Sequence, residues 1–328
     1  MQSGIRNSLL ALFSKAGNDY VSGQKISEEL GCSRTAVWKH VESLRSEGYE
    51  LEAVRRLGYR IVAKPDKISE NEIRLGLDTN ILGREIHYRD VLPSTNIKAL
   101  QLAAEGAVEG TLVVTDEQTS GRGRMNRTWH SPSGKGVWMS LILTPDIPVA
   151  KTPQLTLLTA VAVAQALEEV SSLQMQIKWP NDILCNGKKI VGILTELQAE
   201  ADRVSSVIVG IGINVNQSQS DFPTEIQSIA SSLSIEQKTM FDRARIIQTI
   251  LKKFEERYLE FLSDGFKSIK PIWESYAAIQ GKEITARTLQ GLISGKSLGI
   301  DDEGVLLLVT KEGDIKKIYS ADIDLRTS

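Results

Sequence analysis

Cysteine is nearly absent from this 328-residue chain: there are only Cys32 and Cys185, far apart, with no CxxC pair and no Cys/His cluster. A disulfide framework and a zinc site are thereby excluded as organising principles; both thiols are expected to be reduced, and no protein metal site is expected. No apolar run approaches the roughly 20 residues that span a bilayer, and the first residues lack the basic-then-apolar layout of a signal peptide. The expectation is a cytoplasmic protein without a membrane partner. Internal repeats and low-complexity tracts are missing too, and the net charge is only -2.

What is present is an ordinary globular composition, with 41% hydrophobic, 24% charged and 5% aromatic residues. The length exceeds what one core usually organises, so two or three domains are expected. Charge is unevenly placed: residues 1–65 carry ten Lys/Arg against seven Asp/Glu, a net +3 that leaves -5 for the rest. A nucleic-acid partner therefore belongs at the front.

Ile5, Leu9, Leu12 and Phe13 recur at helical spacing, which predicts a first helix over 5–16 ended by Gly17 to Asp19. Ser22 can cap a short helix carrying Ile26 and Leu30, and Gly31 breaks it. Ser33 can cap a third helix in which Val37, Val41 and Leu44 line one face, with Gly48 as its end. Two helices joined by a Gly-containing turn, the second presenting Arg34, Thr35, Trp38, Lys39 and Arg45, match a helix-turn-helix with its recognition helix. Residues 49–62 read as a short basic hairpin, a wing. A plain helical interaction module is the competing reading. Arg55, Arg56 and Arg60 on the wing favour DNA, because phosphate contacts supply much of the affinity.

Residues 72–265 mix helical patterns with β-branched runs at 112–114, 137–143 and 204–215, a mixed α/β body. The stretch 155–167 is apolar nearly all round yet too short to cross a membrane, so it reads as a helix buried on a sheet. From about residue 273, short strands at 284–288, 298–301, 305–310 and 315–319 alternate with turn residues, which predicts a small antiparallel β-barrel.

The chemistry-bearing segments are ordered along the body. SerThrAsn at Ser94, Thr95 and Asn96 offers small hydrogen-bonding groups that suit an uncharged polar ligand or a helix cap, and Gln118 follows. GRGRMNRTW at 121–129 interleaves glycine with Arg122, Arg124 and Arg127, so its backbone can fold over a ligand while guanidiniums meet phosphate or carboxylate oxygens. KWPND at 178–182 and GKKIVGIL at 187–194 read as strand, turn, strand, where one of Lys188 and Lys189 can point inward. GIGIN at 210–214 reads as a buried strand whose glycines admit close approach. GLISGKS at 291–297 imitates a phosphate-binding loop, but it has three residues rather than four between its glycines and sits in the β-rich tail, so it is rejected.

Taken in order, SerThrAsn, GRGR with its following Arg and Trp, KWPND, KKIVGIL and GIGIN resemble the bifunctional biotin–protein ligase/biotin operon repressor family over essentially the whole chain. The GID at 299–301 with Gly304 fits the hairpin of that family's C-terminal domain. The resemblance implies an α+β multidomain protein: a winged helix-turn-helix at 1–65, a mixed α/β catalytic domain of the class II synthetase-like type at 66–272, and an SH3-like β-barrel at 273–328.

It also implies two steps: biotin and MgATP give biotinyl-5'-AMP and diphosphate, then the acyl group passes to a lysine of a biotin carrier protein. Ser94, Thr95, Asn96, Gln118, Arg122, Gly123, Arg124, Lys189, Gly192, Gly210 and Gly212 match biotin-contacting positions. Lys189 matches the family's lysine between biotin carboxylate and α-phosphate, with Arg124 and Asp182 expected as further catalytic positions, Asp182 as a partner for Lys189 or a base. Trp129 resembles the adenylate-stacking tryptophan, and Arg124, Arg127, Lys189 and Asn214 complete the nucleotide set. Ser22, Ser33, Arg34, Thr35, Trp38, Lys39, Arg45, Arg55 and Arg56 form the DNA set, facing operator DNA of biotin genes. The chain departs from the family at Met125 and Asn126, where other members carry Arg-Gly. Beyond ATP with Mg2+ and biotin as substrates, no bound cofactor is implied, and biotinyl-5'-AMP is expected to act as corepressor of a homodimer. Two rivals stand beside this reading: a ligand-sensing transcription factor without catalysis, and a lipoate–protein ligase, which shares the architecture.

Overall fold

The computed structural model describes residues 2–63, 67–200 and 203–325. The chain divides between Gly76 and Leu77 into two compact units.

The first unit begins with α1 (Gln2–Ala16), α2 (Gly23–Leu30) and α3 (Arg34–Ser46). The caps read from the sequence form: the Ser22 hydroxyl accepts from Lys25 N at 3.1 Å and that of Ser33 from Ala36 N at 3.2 Å. Gly31 closes α2 in the left-handed region at φ 59°. Each cap satisfies an amide that the first helical turn leaves without a partner. Leu9, Phe13, Ile26, Val37, Val41 and Leu44 share one core. Leu10, not Leu12, completes the buried face of α1, because the helix packs with the side shared by residues 9, 10 and 13 inward.

The wing is β1 (Glu50–Val54) paired antiparallel with β2 (Gly58–Ala63). Tyr59 exchanges two backbone bonds with Val21, at 2.8 and 2.9 Å, which pins the hairpin to the entry of α2. A Cβ at Gly58 would stand 2.1 Å from the Val21 carbonyl oxygen, so only glycine permits this approach. A further helix, α4 (Glu70–Leu75), belongs to this unit, and Leu75 packs on its core. The expected boundary between 65 and 66 lies outside the described residues, and the first unit extends past it to Gly76.

The second unit is built on a seven-stranded sheet. In chain order it comprises β3 (Ile86–Leu92), α5 (Thr95–Ala104), β4 (Leu112–Gln118), β5 (Gly136–Leu143), α6 (Thr152–Ser171), β6 (Gln176–Lys178), β7 (Asp182–Cys185), β8 (Lys188–Glu200), β9 (Arg203–Asn214), α7 (Leu233–Gln237), α8 (Arg243–Asp264) and α9 (Phe266–Tyr276). The spatial order is β3-β4-β5-β9-β8-β7-β6, parallel between β3 and β4 and antiparallel elsewhere. α5 packs Ala99 and Leu102 on Val113, Ile142 and Ile208. α6 lies on the other face, where Thr156 meets Thr195 at 2.8 Å. It is buried nearly all round, as its apolar composition requires. Among the described residues no helix is long and apolar enough to cross a membrane.

The tail is a five-stranded antiparallel sheet of β10 (Glu283–Thr288), β11 (Gly291–Ile300), β12 (Leu306–Val309), β13 (Ile315–Ile318) and β14 (Asp322–Leu325), in the order β13-β12-β11-β10-β14. The rejected phosphate-loop lookalike at 291–297 is part of strand β11. Two expectations need correction. β14 was not foreseen, its four residues being too few to show a period, and a boundary between 272 and 273 would cut helix α9, whose Trp273 and Ile269 are fully buried.

Candidate functional site

A cavity of about 230 Å³ opens on the sheet face that carries α5. Its wall is assembled from the start of α5 (Ser94, Thr95, Asn96), the end of β4 (Gln118), the 121–129 segment, Asn181 and Asp182, Lys189 and Gly192 on β8, Gly210, Gly212 and Asn214 on β9, and Asp322. Gly210, Gly212 and Asn214 fall on one face by strand alternation. Lys189 and Gly192 are three apart, which regular pleating would put on opposite faces. A bulge resolves this: Leu184 pairs with Lys189 but Ile183 with Val191. The Lys189 backbone bonds instead to Ile229 O at 2.8 Å and Ser231 N at 3.0 Å. Lys189 thereby reaches the cavity, whereas Lys188 is not among its lining residues.

The three glycines have separate steric duties. A Cβ at Gly210 would lie 2.0 Å from Asn96 Oδ1, so this glycine makes room for the asparagine. At Gly212 and Gly192 a Cβ would stand 2.4 and 2.8 Å from the Trp129 indole, which lies over both positions. Trp129 meets Trp138 edge-on at 6.5 Å, and its buried Nε1 has no hydrogen-bond partner.

One end of the cavity is a hydrogen-bond network of hydroxyl and amide groups that ends on the Glu196 carboxylate. Ser94 stands at the N-cap of α5 but makes no side-chain cap bond, so its hydroxyl serves the pocket wall rather than the helix. Gln118 Oε1 accepts from Thr95 N at 2.9 Å, and Gln118 Nε2 donates to Ser131 Oγ at 2.8 Å. Ser140 lies 2.7 Å from Thr95 Oγ1 and 2.6 Å from Asn96 Oδ1. Asn96 Nδ2 donates to Leu194 O and to Glu196.

The other end gathers charge. Lys189 Nζ is 2.6 Å from Asp182 Oδ1 and 5.3 Å from the Trp129 ring centre. Arg124 donates to Asn181 Oδ1 at 3.1 Å and Ser320 Oγ at 2.9 Å, and burial pulls its guanidinium below its ordinary pKa. Arg127 pairs with Asp322. The 121–129 segment is a tight hairpin: Trp129 N donates to Gly121 O at 2.9 Å and Gly123 N to Arg127 O at 2.7 Å. Met125 and Asn126 at its tip both take positive φ, 55° and 58°. Glycine or asparagine adopts this backbone readily, a methionine only under strain.

All the small-molecule residues read from the sequence line this one cavity. Missed were Ser131, Ser140, Asn181, Glu196 and Asp322. A serine inside the apolar GVWMSLIL strand was a usable signal for Ser140; nothing local marked Asp322.

In the first unit Arg34, Thr35, Trp38 and Lys39 stand exposed on α3, and Trp38 is 53% exposed, unusual for so large an apolar group. Arg55 and Arg56 are exposed at the wing turn. Two arginines differ from this pattern: Arg45 bonds Glu42 and the Leu51 carbonyl at 2.7 Å each, and Arg60 pairs with Glu52 over the Tyr20 ring. Both tie the wing into the unit.

Three family profiles match the chain: an HTH domain over residues 5–60, the biotin/lipoate A/B protein ligase family over 88–214, and a biotin protein ligase C-terminal domain over 280–326. A Bacillus subtilis (strain 168) protein described as bifunctional ligase/repressor BirA is 64% identical over 325 residues, covering 99% of this chain and 100% of that protein. The biotin–[acetyl-CoA-carboxylase] ligase of Paracoccus denitrificans is 33% identical over 219 residues, 66% of this chain and 90% of that one. A structure of the Aquifex aeolicus biotin protein ligase in complex with biotin and ATP matches with a TM-score of 0.65 at 34% identity, covering 75% of this chain and 100% of that one. The chain belongs to the bifunctional ligase/repressor family: it is a biotin protein ligase whose N-terminal helix-turn-helix domain makes it a repressor as well.

Proposed function

We propose that the cavity joins biotin to ATP and that the product serves two ends, acyl transfer and repression. The observation that carries this is the polarity of the cavity: hydroxyl and amide groups at the α5 end, where the Glu196 carboxylate is matched by Arg122, and the cations Lys189, Arg124 and Arg127 at the other. The biotin head takes the end formed by Ser94, Thr95, Asn96, Gln118, Gly210 and the Arg122–Gly123 backbone. The adenylate lies against Trp129, seated on Gly192 and Gly212, with Asn214 near the nucleotide.

The biotin carboxylate attacks the α-phosphorus and diphosphate leaves, giving biotinyl-5'-AMP. Two anions meet in that step, so Lys189 between them and Arg124 and Arg127 beside the phosphates offset the repulsion. Mg2+ enters with ATP as part of the substrate complex. Asp182 holds the Lys189 ammonium in place, and it can take the proton that the acceptor lysine loses as its amine displaces AMP. The 121–129 hairpin keeps water from the mixed anhydride until a carrier protein arrives.

In this reading the protein is cytoplasmic and has three domains: a winged helix domain, a catalytic domain of the class II synthetase-like type, and an SH3-like barrel that starts after α9. Arg34, Thr35, Trp38, Lys39, Arg55 and Arg56 face operator DNA, with the helix starts at Ser22 and Ser33 near phosphates, while Arg45 steadies the wing. One copy offers few phosphate contacts, so biotinyl-5'-AMP acts as corepressor by favouring a homodimer on a two-fold symmetric operator.

The test is exchange of labelled diphosphate into ATP with biotin or lipoate as the acid. Exchange with biotin alone supports the reading. Exchange with lipoate alone turns it into a lipoate ligase, and exchange with neither reduces the body to a sensor.

A further inference from the structure

We propose that Glu196 is a positioning residue of the acyl-head pocket: it locks the Asn96 amide so that its carbonyl oxygen faces a ligand N–H, and it holds Arg122 at the same pocket. This rests on the reading of that end of the cavity as the biotin end.

Glu196 lies on β8 two residues beyond Leu194 and directly opposite Ile208, hence on the cavity face of the sheet. The two hydrogens of Asn96 Nδ2 point at Leu194 O, 3.2 Å away, and at Glu196 Oε2, 2.7 Å away. Both are pure acceptors, so turning the amide over would set oxygen against oxygen twice. Asn96 Oδ1 is therefore fixed over Gly210, where Ser140 reaches it at 2.6 Å. Ser140 has one proton and a second acceptor, Thr95 Oγ1, at 2.7 Å. A carbonyl oxygen has two lone pairs, so Asn96 keeps room for a ligand donor.

A cyclic urea such as the biotin head brings two N–H donors, whereas a dithiolane or a plain alkyl chain brings none. A buried acceptor left unpaired is costly, and sites built around one reject ligands without the donor. The same carboxylate contacts Arg122 Nη2 through both oxygens, at 3.0 and 3.2 Å. One side chain thus joins the pocket floor to the base of the 121–129 hairpin.

Calorimetric titration of the full chain with biotin and separately with ATP tests this, using Glu196→Ala and Glu196→Gln. Glu196→Ala should weaken biotin about 10- to 100-fold, the loss of a charge-assisted bond. Glu196→Gln keeps an acceptor for Asn96 and should stay within about fivefold on the same scale. ATP affinity should stay within about twofold in both, because the Trp129 end is untouched. Biotin affinity unchanged in Glu196→Ala, or biotin and ATP weakened by one common factor, would overturn the assignment. If Glu196→Ala does not fold, Asn96→Asp places a carboxylate against Glu196 and should lose biotin at least as strongly with ATP binding intact; normal biotin affinity there overturns it too. A wild-type protein that binds ATP but not biotin defeats instead the reading on which the proposal stands.

Discussion

The two units build their functional surfaces in opposite ways. On α3 Val37, Val41 and Leu44 face inward while Trp38 and the polar residues face outward, and the contacts that shape the ends of the helix are short in sequence: Ser33 reaches Ala36 and Arg45 reaches Leu51. The cavity instead depends on pairs far apart in the chain, Asn96 with Glu196, Arg124 with Ser320 and Trp129 with Gly212. A change in the first unit should therefore stay local. In the second, one methyl group at a glycine should displace a ligand-binding side chain that the substituted residue does not itself carry.

The largest expected effect separates the units outright. Deleting residues 1–76 should abolish operator binding and leave diphosphate exchange within about threefold, since independent sites behave additively. A truncated chain that folds by circular dichroism yet has lost exchange would break the contrast. Next, Lys189→Ala should lower exchange about 100- to 1000-fold, the usual loss for one preorganised charge. Lys188→Ala, off the cavity wall, should cost less than about threefold; the reverse order would contradict the bulge register.

The glycines sharpen the contrast further. Gly210→Ala must move Asn96 and should raise the biotin KM by about 10- to 100-fold, because displacing a binding group by about an ångström is that costly. Gly212→Ala must move Trp129 and should raise the ATP KM instead. Equal effects of both variants on both substrates would mean that the cavity lacks two separable ends. The smallest effect belongs to the front: Ser33→Ala should cost the first unit about 1 kcal/mol in thermal or denaturant unfolding, a typical cap loss, with exchange unaltered.

The same contrast explains what could be read from residue order. The caps Ser22 and Ser33, the break at Gly31 and the wing at 50–63 are local devices, and each left a local mark. The cavity motifs were legible as segments, and the family resemblance joined them. Glu196 went unread because its role exists only once β8 and α5 are adjacent, and Asp322 because a four-residue strand shows no periodicity, whereas Ser140 left a mark as the polar residue of an apolar strand but not the identity of its partners. Arg45 shows the converse: residue type and position on a recognition helix assign it to DNA, and only the folded unit reveals that its guanidinium also bonds Glu42 and the Leu51 carbonyl.

The central claim is that one chain makes the molecule that controls its own DNA binding. Operator-shift titrations with sedimentation, run with biotin alone, ATP alone and both together, test it directly. Linkage of this kind is usually worth about 1 to 3 kcal/mol, or about 5- to 150-fold in affinity. The account predicts tight operator binding and a doubled mass only when both substrates are present. Equal operator affinity and equal mass in all three conditions would contradict it, leaving two activities that merely share a polypeptide.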